Sequence, residues 1–296
     1  MTASFRTLPT PDGRDLEVCV QGATDGTLLV FHHGSPGAAV PYPTMDRAAA
    51  ERGLRLATIS RAGFGGSSRL EGRSVADAAK DAAVVADAFE AERFLVAGAS
   101  GGGPHTLGTA ALFPERVLAA ATIAGVGPWD GRGLDWLAGM GEENVEEYTS
   151  AARDPVGHLA WIEREVQTLK DIRAEDIVAS LRTLISDVDE AAIDGELGEV
   201  LAASFRSAFR HGPWGWYDDD LAFTRPWGFE LSSIRVPVAV WQGAQDLMVP
   251  FAHGEWLAGH VPTARPRLRL GDGHLSLEVT AIGEILDDLV TLAGAG

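Results

Sequence analysis

One cysteine in 296 residues leaves no internal disulfide to form. Cys19 falls within Leu16–Val20, an extended apolar stretch, so its thiol is expected to be packed in a strand, and a reducing compartment suits it. Basic residues are scarce as well. Against 42 Asp and Glu stand 24 Lys and Arg, a formal net charge of -18, whose field repels phosphate and so excludes nucleic acid and anionic membrane surfaces as partners. No apolar run is long enough to span a bilayer, and Met1–Pro11 lacks the charged start and apolar stretch of a leader, so the expected compartment is the cytoplasm. Repeats and low-complexity tracts are missing too. The hydrophobic residues that are present, 46% of the chain, suffice for one large core, in a single domain or a domain carrying an insertion.

Short apolar runs rich in β-branched residues alternate with helical stretches, the pattern of an α/β protein with a mostly parallel sheet flanked by helices. Residues 4–8 and 14–21 read as an opening hairpin about the turn Pro11-Asp12-Gly13. Strands are then expected at Leu28–His33, Leu54–Ser60, Phe94–Ala99, Val117–Ala124, Val236–Gln242 and Arg267–Leu270, nearly all apolar because both faces would be covered. A helix should start at Ser74, with Asp77 three positions on as its capping partner, and another should run from Leu275 to about Leu292. Between the sixth and seventh strands lies a long insertion. In it Ile177, Leu181, Leu184 and Val188 keep helical spacing, as do Leu201, Phe205 and Phe209. The expected organisation is a core of residues 1–125 and 236–296 with a helical cap over 126–235. Six of the eight tryptophans fall in that cap. Of these Trp129, Trp214 and Trp216 are expected to line a substrate pocket, the alternative being that they pack the cap's own core.

The chemistry gathers at three places. Phe94–Ala99 runs as an apolar strand into Gly98-Ala99-Ser100-Gly101-Gly102, a G-x-S-x-G pattern followed by a helix-like segment from Pro104. A sharp strand-to-helix turn exposes a serine hydroxyl and leaves no room for side chains at its glycines. A serine needs a general base. His274, in the loop between the last strand and the last helix, is so placed, and Asp246, just after the preceding strand, is the acid that would orient its ring. Asp130, after the sixth strand, is the reserve acid; Asp272 lies too near His274 to reach the far nitrogen of its ring. A tetrahedral oxyanion needs backbone donors, for which the amides of Gly101 and Ser35 are the candidates. His33 is expected to support the Ser35 loop. The doublet His32-His33 makes a poor metal site, since neighbours on a strand face opposite ways, and neither a metal nor a cofactor is expected.

His33–Gly37 (HGSPG), Gly98–Gly102 (GASGG), Gly243–Asp246 and Gly273-His274, in the order serine, acid, histidine, together resemble the α/β-hydrolase superfamily over almost the whole chain. Arg61–Ser68 looks like its glycine-rich loop after the fourth strand, with Ser60 where many members carry an acid. The resemblance implies a serine hydrolase acting on a small molecule. Esterases, lactonases, carbon–carbon bond hydrolases and proline iminopeptidases are the capped branches it opens. Dehalogenases and epoxide hydrolases place aspartate where Ser100 stands, and cofactor-free haloperoxidases place methionine where Gly101 stands.

The expected activity is hydrolysis of a small apolar ester through an acyl-enzyme. The first alternative is a proline iminopeptidase-like aminopeptidase. Its usual tryptophan after the nucleophile is absent, while Glu142, Glu143, Glu146 and Glu147 would meet a substrate's amino group or else form a solvated face. An alternative of another class is a receptor that binds a ligand on the same fold without turning it over.

Overall fold

The computed structural model describes residues 3–193 and 195–294. Among the described residues, eight strands form one sheet: β1 (Ser4–Pro9), β2 (Asp15–Gly22), β3 (Thr27–His32), β4 (Leu54–Ile59), β5 (Phe94–Ala99), β6 (Val117–Ile123), β7 (Val238–Gly243) and β8 (Ala264–Arg269). Their order is β1-β2-β4-β3-β5-β6-β7-β8; β2 pairs antiparallel with β1 and β4, and the rest of the sheet is parallel. This is the expected α/β-hydrolase fold. The expected opening hairpin is β1 and β2.

Successive residues of a strand face opposite sides, so each central strand feeds two cores. Val30, Val96, Ala120 and Val240 pack one face, together with Ala82 and Val85 of α2 (Ala78–Ala88) and Leu107 of α3 (Gly102–Leu112). Leu29, Leu95, Ala121 and Ala239 pack the other, against Ala49 of α1 (Pro43–Glu51) and Leu277, Ile285 and Leu289 of α11 (Leu275–Gly294). The helix expected from Ser74 begins there, through a 3-10 turn over Val75–Asp77, with the Ser74–Asp77 capping box formed. Strand β8 starts three residues before its expected position. Arg265 and Pro266 read as an interruption before the expected strand, yet they belong to a sheet edge where such side chains reach water.

Between β6 and β7 the chain makes α4 (Glu142–Arg153), α5 (Pro155–Leu169), α6 (Ile177–Leu181), α7 (Asp187–Ala192), α8 (Gly195–Ala208) and α9 (Trp214–Phe223); α10 (Phe251–His260) follows β7. The periodic stretch from Ile177 to Val188 is broken into two short helices. Arg182 adopts φ 48°, a left-handed value that ends α6 after five residues. Helix α9 is tied to the core by charge: Arg69 bonds Asp218 with its Nε at 2.8 Å, and Arg73 Nη1 reaches Asp219 at 2.6 Å. Its Gly215 lies so close to Phe64 that a β-carbon there would stand 2.5 Å from the ring.

Candidate active site

Ser35, Ser100, Gly101, Asp246 and His274 each sit where a parallel strand ends, at the edge of the sheet on which such folds place their chemistry. Ser100 follows β5 with φ 51°, and its amide donates to the Ile123 carbonyl at 2.8 Å. The turn is closed so tightly that a β-carbon on Gly98 would lie 2.4 Å from the Gly102 carbonyl oxygen, and one on Gly102 would lie 2.1 Å from that of His32. The two glycines of the motif are therefore steric requirements, and they leave Ser100 partly exposed at a cavity of about 200 Å³.

His274 lines the same cavity. Its Nδ1 donates to Asp246 Oδ2 at 2.8 Å, which leaves Nε2 as the unprotonated nitrogen of the neutral ring. Asp246 is held in turn by the amides of Met248 and Val249, at 2.9 and 2.7 Å on Oδ1, and by Gln242 Nε2 at 2.9 Å on Oδ2. Burial by itself would lower the imidazole's pKa, but the carboxylates of Asp246, Asp189 and Glu278 outweigh it and raise it. Asp130 is exposed. Asp272 does loop chemistry, accepting from Arg269 Nε at 3.0 Å and Thr280 Oγ1 at 2.8 Å.

Ser35 and its neighbours Gly34, Pro36 and Gly37 also line the cavity. A side chain at Gly101 would meet Ser35 Cβ at 2.8 Å, so the two candidate amide donors belong to adjoining backbone. Among the described residues neither amide is given to another backbone carbonyl. His33 steadies this loop from behind. Its Nε2 accepts from the Arg61 amide at 3.3 Å, so the proton is on Nδ1 and is donated to the Gly34 carbonyl at 2.6 Å. Ser60 donates to Glu17 Oε1 at 2.9 Å and accepts the Ala39 amide at 3.0 Å, and Glu17 also takes the Gly66 amide at 3.0 Å. The carboxylate that the sequence lacks at position 60 is thus supplied from β2.

Of the three tryptophans expected to line the pocket, Trp216 does, joined by Trp161. Trp129 and Trp214 are not among the lining residues. Trp129 packs on Trp136, with ring centroids 4.9 Å apart, and Trp214 lies under Arg69, whose Cζ is 4.1 Å from the ring centroid. The solvated face expected of the four glutamates holds for Glu142 and Glu146 alone. Glu147 is 5% exposed, accepts Trp216 Nε1 at 2.7 Å and has a raised pKa, through burial first and then through Asp220 beside it. Glu143 and Glu165 line the cavity facing Arg182, at 3.9 and 3.7 Å.

Two buried carboxylates escaped the sequence reading. Asp189, on α7, accepts the amides of His274, Leu275 and Ser276 and the Ser276 hydroxyl, all within 2.9 Å. Asp219, on α9, accepts from Ser35 Oγ at 2.9 Å, Arg61 Nη2 at 2.6 Å and Arg73 Nη1 at 2.6 Å, and pairs with His105 Nε2 at 3.2 Å. The partners just named lie 85 to 184 positions away in the chain, and the local partner, Ser186, whose hydroxyl donates to Asp189 at 3.1 Å, marks only a helix start.

Residues 27–281 match the family described as the alpha/beta hydrolase fold, and the chain belongs to that family. It is an α/β-hydrolase. A Mycobacterium phage D29 protein provisionally named a non-heme haloperoxidase is 28% identical over 255 residues, 84% of this chain and 81% of its own. Among solved structures, a thermophilic esterase from Thermogutta terrifontis superposes with a TM-score of 0.68 at 18% identity, over 98% of this chain and 99% of that one. The enol-lactonase from Burkholderia xenovorans LB400 gives 0.67 at 20% identity, over 97% and 100%. At that distance the likeness is one of fold, and the activity has to be argued from the site.

Proposed function

We propose that the chain is a serine hydrolase that cleaves small apolar esters through Ser100, His274 and Asp246. The observation that carries this reading is the 2.8 Å bond from His274 Nδ1 to Asp246, made beside a cavity that Ser100 lines from a left-handed turn. His274 Nε2 takes the proton as Ser100 Oγ adds to the ester carbonyl. The amides of Ser35 and Gly101 receive the oxyanion. His274 then returns the proton to the departing alkoxide, an acyl-enzyme remains, and a water activated by the same nitrogen releases the acid. The cavity's apolar wall, with Trp161, Trp216, Leu169, Leu201, Phe205 and Met248, suits an uncharged acyl or alcohol group. Residues 126–235 act as the cap that supplies most of that wall, and the cytoplasm is the compartment proposed for the enzyme.

A second reading, a proline iminopeptidase-like aminopeptidase, draws on Glu143, Glu147, Glu165 and Glu278 in the cavity wall. Against it, burial favours the neutral form of Glu147, which is bonded to Trp216, and Glu143 and Glu165 face Arg182. A haloperoxidase reading fits poorly with Gly101 after the nucleophile.

Wild type and Ser100→Ala assayed side by side against p-nitrophenyl esters of increasing chain length, a lactone and proline β-naphthylamide separate these readings. The expected result is turnover of short esters that falls at least about 1,000-fold in Ser100→Ala. Preference for the proline amide would install the aminopeptidase, and ester binding without turnover would favour a receptor.

A further inference from the structure

The two carboxylates found by the structure both come from the cap and both end on core loops that carry the proposed chemistry. Asp189 takes the first amides of α11, where a helix leaves its N–H groups unpaired, and thereby fixes the backbone from which the His274 ring springs. The fit is close. A β-carbon on Gly273 would stand 2.4 Å from Asp189 Oδ2, so the glycine before His274 is the space the cap carboxylate occupies. Asp219 performs the matching task at the Ser35 loop. It bonds the Ser35 hydroxyl directly, and it orients Arg61, whose guanidinium reaches back to the carbonyls of His33 and, at 3.1 Å, Gly34. Asp219 is fully buried with two guanidinium partners. Burial alone would raise its pKa, but Arg61 and Arg73 hold it well below the usual carboxylate range.

We propose that Asp189 and Asp219 are positioning residues through which the cap assembles the active site, Asp189 setting the place and electrostatics of His274 and Asp219 setting the Ser35 amide. The proposal rests on the serine-hydrolase reading and adds that the cap is part of the machinery as well as its cover. A cap that swung away as a rigid body would disarm both the base and the oxyanion donor.

The carboxylates that face His274 are Asp246 from the loop after β7, Asp189 from α7 and Glu278 from α11. Removing the Asp189 charge by Asp189→Asn leaves the other two and lowers the pH at which His274 takes a proton. The ring titration followed by NMR should move to lower pH, and so should the acid limb of kcat/KM for p-nitrophenyl acetate, since activity needs the neutral imidazole. A carboxylate that merely stabilised the fold would lower the amount of active protein and leave both where they were. Asp189→Glu serves if Asp189→Asn does not fold: the charge stays but its arm lengthens. The titration should then hold near the wild-type pH while kcat falls, and an unchanged kcat would count against the proposal.

For Asp219 the test is a cycle of Asp219→Asn with Ser35→Ala, the latter deleting the bonded hydroxyl and keeping the amide. Each single variant should lower kcat about 100-fold with KM nearly constant, and the double variant should be no worse than the worse single one. Losses that multiply in the double variant, or a His274 titration that stays put in Asp189→Asn, would overturn the inference. The titration needs no substrate, so it decides the role of Asp189 even if wild type hydrolyses none of the esters, an outcome that would sink the hydrolase reading instead.

Discussion

At the scale of single residues, the cavity wall holds, beside His274, a carboxylate whose charge changes close to neutrality. Burial pushes Glu278, one turn along α11 from His274, up to about 7, with the imidazole pulling the other way. As pH rises through that value the wall gains a negative charge, so short carboxylates, which are the expected product class, should inhibit more weakly. The loss expected from Glu278 is about fivefold, the equivalent of roughly 1 kcal/mol between charges 4 Å apart in water, and Glu278→Gln should remove that part and leave the part owed to His274 losing its proton. Inhibition constants for butyrate at pH 6 and pH 8 check this, and an unchanged pH dependence in Glu278→Gln would refute it. The places of Ser100, His274 and Asp246 in the fold could be read from the sequence because their surroundings are local: a strand, a tight glycine turn, the loop after the next strand. Asp189 and Asp219 could not. Asp189 looks like the helix-start partner of Ser186 and Asp219 like an ordinary acidic residue in a helical stretch, until the fold brings their distant partners to them.

Among the elements, the contact between α4 and α9 is chemically odd. Glu147 and Asp220 are both buried, each within hydrogen-bond reach of the other, and both have raised pKa values: Glu147 from burial and then Asp220, Asp220 from burial and Asp219, with the Glu147 hydrogen bond working the other way. His158 Nε2 lies 3.0 Å from Asp220 and its Nδ1 lies 2.8 Å from Ser150 Oγ. An acid with a raised pKa in the folded state binds its proton more tightly there than in the unfolded chain. Stability from this pair is therefore present at low pH and is lost as pH rises from the ordinary carboxylate range through the raised value. Glu147→Gln keeps an acceptor for Trp216 and cannot ionise, so its melting temperature should fall less steeply with pH than that of wild type. Parallel curves from pH 5 to 9 would show that the pair does not couple to folding. The helices were the least legible part of the sequence. Periodicity found α8 but ran α6 and α7 together, because nothing local marks Arg182 as the left-handed stop. The inward turn of Glu147 was hidden for a similar reason, since a helix with four glutamates looks solvated until Trp216 and Asp220 are known to face one of them.

For the molecule as a whole, the charge of -18 spread over 296 residues sets the response to salt. Like-charge repulsion works against the compact state, and screening relieves it over distances beyond about 10 Å at 0.1 M ionic strength. The close pairs that anchor α9 are buried and screen little. Raising salt from 10 mM to 300 mM should thus lift the melting temperature by about 2–4 °C, the weight of roughly 1 kcal/mol in a protein of this size. A fall instead would mean that exposed ion pairs outweigh the net repulsion. The strand alternation that made the fold legible also predicts how the sheet ends. Strand β8 lies at an open edge, where Arg265, Arg267 and Arg269 alternate along a strand that also carries Pro266. Proline has no amide to offer a newcomer, and a second copy arriving edge to edge would have to pass charged side chains that are already paired with Asp272, Glu284 and Asp288. The same strand that completes the sheet on this side thus resists its continuation into a polymer, and crowding should not drive two copies together through β8.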